Sequence, residues 1–183
     1  MMGRLMVHST ERIQRRRNAL EAARGKQMLR GAITSFILVS LCAVIHILGL
    51  ALLADWLIRH PLKSKQNFSI SRYSLLLTSV FAIITLLHLI ETLIWAVFYH
   101  RWGLVGTFEA SWYFSLGSYT TIGYGDVVLP PRWRILGGLE GINGVLVCGL
   151  STAFLFAIVN EMFEIRRRQQ ATHSRRRVTD DAR

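Results

Sequence analysis

Three apolar blocks, each close to thirty residues long, limit this chain more than anything else in its sequence. They are Gly31 to Ile58, Tyr73 to His100 and Ile135 to Phe163. The first has 28 residues and a single acid, Asp55, near its end. A helix of that size rises roughly 42 Å at about 1.5 Å per residue, against a hydrocarbon core of about 30 Å. Each block can therefore cross a bilayer with tilt and overhang. With 183 residues, 51% of them hydrophobic, and with the charges crowded outside these blocks, the chain reads as a small integral membrane protein. It leaves no room for a separate soluble domain.

Trp56, Trp95, Trp102 and Trp133 fall at or near block ends, where amphipathic rings favour the membrane interface. Cys42 and Cys148 both lie inside apolar blocks without a spacing pattern, so neither a disulfide framework nor a cysteine metal site is indicated. Both are expected to be small buried hydrophobes.

Between the second and third blocks lies a shorter element, "TFEASWYFSLGSY", Thr107 to Tyr119. Thr107 is a suitable N-cap, and Glu109 in the first turn would face the positive end of the helix dipole. The element is too short to cross, and it predicts a re-entrant helix that hands over to "TTIGYGD", Thr120 to Asp126. Irregular backbone at membrane depth is tolerated only where protein buries it or a watery cavity receives its polar groups. Carbonyls turned toward one line require a backbone that alternates between ordinary and left-handed conformations, and Gly123 and Gly125 take left-handed positions at little cost. Four copies around an axis would stack rings of carbonyls from Thr121, Ile122, Gly123 and Tyr124, with the Thr121 hydroxyl as a further ring, and such rings replace the water shell of a cation. The C-terminal, negative end of the short helix would favour a cation waiting in the cavity nearby.

Membrane helix, aromatic-rich short helix, "TTIGYGD" and membrane helix, in that order, resemble the pore domain of potassium channels. The likeness covers Tyr73 to Phe163, about half the chain, and suggests a small prokaryotic-type channel with one extra N-terminal transmembrane helix. The resemblance implies an all-α homotetramer in the cell membrane, in a bacterium the inner membrane. It implies a filter of Thr121, Ile122, Gly123, Tyr124 and Gly125, with permeant K+ held at the first four and no other cofactor. Thr120, Asp126, Tyr113 and Trp112 would support that filter, Asp126 at its outer mouth. Two departures stand out. Where several family members place a pore-helix acid, nine positions before the filter aspartate, this chain has Gly117; where they have adjacent tryptophans, it has Tyr113 and Phe114. Tyr113 keeps a hydroxyl able to reach Asp126, whereas Phe114 has no donor for Tyr124.

The expected organisation is a basic N-terminal tail at 1–30, read also as an interfacial helix, an extra transmembrane helix at 31–58 and a basic loop at 59–72. A pore domain at 73–163 follows, with outer helix 73–100, pore helix 107–119, filter 120–126 and inner helix 135–163, then a basic tail at 164–183. Lys and Arg number 8 before Gly31, 4 in Arg59 to Arg72, 3 in Arg101 to Arg134 and 7 after Phe163, so three crossings put 11 on each side. The positive-inside rule does not choose an orientation here. A filter open to the outside, as in the family, sets the loop and the C-terminal tail in the cytosol and the N-terminal tail outside. Arg166 to Arg168 and Arg175 to Arg177 would attract anionic lipid, and nucleic acid is not the expected partner of so apolar a chain.

Ionisable groups within membrane blocks are functional suspects. His46 lies mid-way along the first block, and His88 and Glu91, one turn apart, lie near the middle of the second; together they are read as one polar cluster, either interhelical glue or a proton-sensitive element. In the last block Gly137 and Gly141 suit close helix packing, Gly149 is a hinge candidate, and Phe156, Val159 and Phe163 are candidates for a gate that closes by dewetting. Glu140 and Asn143 are expected to serve packing. No block carries arginine at every third position, so no voltage sensor is indicated. Nothing resembles a catalytic constellation, which argues against an enzyme. A weakly selective cation channel and a non-conducting membrane interaction protein are the alternatives to a potassium channel.

Overall fold

A computed structural model describes residues 2–60 and 70–181. The chain is all-helical, with no strand among the described residues: α1 (Met2–Arg59), α2 (Ile70–Arg101), α3 (Phe108–Tyr119), a single 3-10 turn (Pro131–Trp133) and α4 (Arg134–Asp181). Three stretches are long and apolar enough to cross a membrane, Leu29–Arg59, Ser71–Arg101 and Pro131–Arg168. The protein is a multi-pass membrane protein. α1 continues through Gly31 without a break, so the change from basic to apolar sequence there marks no end of helix. The segment 61–69, most of the basic loop, lies outside the described residues, while Arg59 closes α1 and Arg72 falls in the first turn of α2. The side chains of Arg175 to Arg177 also lie outside the described set.

The ends of the helices follow from local chemistry. α2 finishes on His100 and Arg101, whose positive charge suits the negative end of a helix dipole. Gly103 then takes φ +61°, which lets its own N–H reach the His100 carbonyl at 3.0 Å and the Leu104 N–H reach that of Tyr99 at 2.9 Å. This Schellman closure satisfies carbonyls that would otherwise be orphaned. α3 opens on Thr107, whose hydroxyl accepts from the Ala110 N–H at 3.1 Å. Pro131, with no N–H to lose, begins the turn into α4.

The chain divides into two compact units, Met1–Cys42 with Thr92–Gly144, and Ala43–Glu91 with Val145–Arg183. The first has a core of Cys42, Trp95, Phe98, Tyr99, Val105, Leu129 and Leu136, with Phe114 and Trp133 packed against it. Trp95 is therefore a core residue and not an interface anchor, whereas Trp56 and Trp102 are half exposed or more. The second unit has a core of Leu50, Leu53, Val80 and Ile84, with Leu87, Phe154, Leu155 and Ile158 against it. Lipid tails are as apolar as leucine, so helices in a membrane are held by contact and not by exclusion from water. Gly49 shows the result, since a Cβ placed there would meet the Leu87 methyls at 2.7 Å. Cys42 is buried as expected, but Cys148 is exposed in the single chain, on a face of α4 that also carries Val145, Leu146 and Phe156.

Candidate permeation site

The site is built in the first unit, on the short helix α3 and the start of α4. α3 ends at Thr120, whose N–H and hydroxyl both reach the Leu116 carbonyl, at 3.1 and 2.6 Å. Beyond it the backbone alternates hand. Thr121, Gly123 and Gly125 have φ of +62°, +58° and +80°. The glycines take these values freely, but a β-branched threonine in the left-handed region is strained, by about 1–3 kcal/mol. Sequence reasoning assigned left-handed backbone to the glycines and missed Thr121, because propensity argues against it there. Two hydrogen bonds hold the strained stretch: Thr121 N–H to the Ser118 carbonyl and Gly123 N–H to the Gly117 carbonyl, each 3.0 Å. All residues from Thr120 to Asp126 are exposed in the single chain.

At the far end of this stretch the Tyr113 hydroxyl donates to Asp126 Oδ2 at 2.9 Å, and the Tyr113 ring stacks on that of Tyr124 with centroids 5.6 Å apart. The carboxylate beside it, accepting that hydrogen bond, raises the pKa of the Tyr113 hydroxyl above the ordinary tyrosine range. Gly117 lines a cavity of about 30 Å³ together with Tyr113, Tyr124 and Asp126. Phe114 also lines this cavity, and its ring meets Tyr99 edge-on, with centroids 5.1 Å apart. Trp112 reaches α2, where its indole N–H donates to the Thr92 hydroxyl at 3.2 Å.

Behind α3 stands a buried polar knot that the sequence only hinted at through Glu140. The Tyr99 hydroxyl donates to Glu140 Oε2 at 2.7 Å, and the Ser115 hydroxyl contacts Glu140 Oε1 and the Thr92 carbonyl at 2.8 Å. α3, α2 and α4 thus share one carboxylate. In this chain an acid on α4 braces α3, which itself has glycine at 117. Only small residues on α4 allow this approach. A Cβ on Gly137 would meet Phe114 at 3.1 Å, one on Gly141 the Ser118 carbonyl at 3.1 Å, and one on Gly144 would overlap the Tyr119 carbonyl outright.

The second unit holds the other polar group. His46 Nδ1 lies 2.8 Å from Glu91 Oε1, and its Nε2 lies 2.8 Å from Ser151 Oγ. His88 Nε2 lies 3.1 Å from the same hydroxyl, and the two imidazole centroids are 5.0 Å apart. His46 and Glu91 are fully buried and His88 is half-buried. Ser151 joins α4 to a set that the sequence placed only on α1 and α2; a hydroxyl in a helix interior carries no signal of its own. α4 runs unbroken through Gly149, where a Cβ would meet nothing within 4 Å. Phe156 and Phe163 are exposed, and Val159 is part-buried.

No curated protein and no solved structure matches the chain. Residues 75–161 do match a family model, that of the ion channel family, and they take in α2 from its second turn, the pore helix, the irregular stretch and most of the apolar length of α4. That segment, a little under half of the chain, is similar to the ion channel family.

Proposed function

We propose that the protein is a potassium-selective channel, in which four copies close the Thr121 to Gly125 backbone into a ring of carbonyl oxygens. The observation that carries this reading is the alternation of hand at Thr121, Gly123 and Gly125, since neighbouring carbonyls of such a chain face one side. The same stretch is exposed in the single chain, and carbonyls at membrane depth need a partner. A homotetramer around K+ supplies both the closure and the ligand. The surroundings fit a cell-membrane protein whose exposed Arg166 to Arg168 attract anionic headgroups at about 1 kcal/mol each. On α4, Gly149 has room to bend and Phe156, Val159 and Phe163 are proposed to narrow the pore.

The test is K+ flux from liposomes containing the purified protein. Wild type should pass K+, Na+ should not replace it, and Gly123→Ala should abolish flux without loss of assembly. A protein that assembles and passes no ion would sink this reading in favour of an interaction protein. One observation favours weaker selectivity: Phe114 packs on Tyr99 and gives the Tyr124 side nothing to donate. Reversal potentials in mixed Na+ and K+ separate the two cases, because a relaxed filter shifts with Na+.

A further inference from the structure

We propose that His46, His88 and Glu91 form a binding site for a divalent transition-metal ion, with Zn2+ the best chemical match, that staples α1 to α2 in the second unit. One donor atom from each of the three lies within 4.8 Å of the others. Zn2+ holds imidazole nitrogen at about 2.0–2.1 Å and carboxylate oxygen at about 2.0–2.2 Å, so its ligands stand no more than about 4.2 Å apart. A small contraction, by turning the half-buried His88 ring, closes the set. Two imidazoles and one carboxylate suit a borderline ion; Ca2+ and Mg2+ would call for oxygen ligands.

The hydrogen-bond geometry around Ser151 is compatible with the same conclusion. Ser151 has one hydroxyl proton and three neighbours: the Val147 carbonyl at 3.0 Å and the Nε2 atoms of His46 and His88. The carbonyl can only accept. Nδ1 of His46 is the nitrogen that faces Glu91 Oε1, and Nε2 the one that faces Ser151. A metal on Nδ1 leaves Nε2–H to donate to the Ser151 hydroxyl, which can itself donate to the Val147 carbonyl. Ser151 then holds the outer N–H of a ligating histidine, which fixes the ring and its tautomer as supporting groups around metal sites do.

Neither the filter nor conduction enters this proposal, so its test is separate from the flux assay. The full-length protein in detergent is titrated with Co2+, followed by visible absorption, and then with Zn2+ as competitor. Expected is saturable binding of one ion per chain, with displacement by Zn2+. His88→Ala and Glu91→Gln should weaken it by about 100-fold or more, and Ser151→Ala, a supporting residue, by about 10-fold. Replacing two of the four histidines outside the cluster, His60→Ala and His100→Ala, should leave it unchanged. Absence of saturable binding to wild type overturns the proposal, as does binding that survives the cluster variants or is lost with His60 or His100. Should the cluster variants fail to assemble, X-ray absorption of the Zn2+-loaded wild type decides. A shell with two imidazoles supports the site, and a shell with one or none overturns it.

Discussion

From Thr120 to Asp126 every residue of the single chain reaches solvent, and the backbone between Thr121 and Gly125 is bent out of any regular ladder. At His46, Glu91 and Ser151 the reverse holds: the side chains are buried, and each finds its partner on another helix at 2.8 Å. Tyr99 and Ser115 close Glu140 in the same way. A buried polar group costs free energy unless it is paired, so the closed clusters can be satisfied within one chain. The exposed stretch has no such closure within one chain. Polar residues that complete each other hold a subunit together; under the proposed function, the exposed stretch is where an ion and further subunits would belong.

Substitutions can press on either side of that contrast. The largest expected effect is on the open side, where Gly123→Ala puts a side chain at φ +58° and should remove ion flux altogether, while the thermal unfolding of the protein barely moves. If unfolding shifts as much as flux falls, the exposed stretch is part of the subunit's own framework and the contrast fails. On the closed side, His46→Ala leaves Glu91 buried without its nitrogen partner and should cost about 3–5 kcal/mol in denaturant titrations. A further Glu91→Leu change should restore most of that loss, because the uncompensated group is then gone. Tyr99→Phe strips one donor from Glu140 and should cost about 1–3 kcal/mol, read from the same titrations.

The smallest effect belongs to Tyr113→Phe, which removes an exposed hydrogen bond at the edge of the open stretch. Stability should be unchanged, and single-channel records should show altered filter closures at preserved conductance. Asp126 favours the protonated hydroxyl, so the bond is present at neutral pH and is lost only as pH rises through a pKa above that of free tyrosine, about 10. Recordings between about pH 6 and 9 should therefore show no titration from Tyr113.

Much of the open side was legible from residue order alone. Three apolar blocks, a capped short helix and two glycines two positions apart suffice to anticipate a short helix that gives way to irregular backbone, because each reports on local backbone or on length. The grouping of His46, His88 and Glu91 was legible too, since few ionisable residues occur within apolar blocks. What escaped depends on distance in three dimensions. Ser151 and Ser115 are ordinary helix residues until a neighbouring helix brings an imidazole or a carboxylate to them. Trp95 sits near a block end like the other tryptophans, yet its helix turns it inward. The strain at Thr121 runs against propensity and is imposed by the hydrogen bonds around it.

Gly144 leaves no room for even a methyl group beside the Tyr119 carbonyl. The residue at that position is thus a ruler for spacing: an ion-channel relative with alanine or serine there must hold its inner helix farther from the end of its pore helix. A single letter in a relative's sequence would then report on the width of a contact.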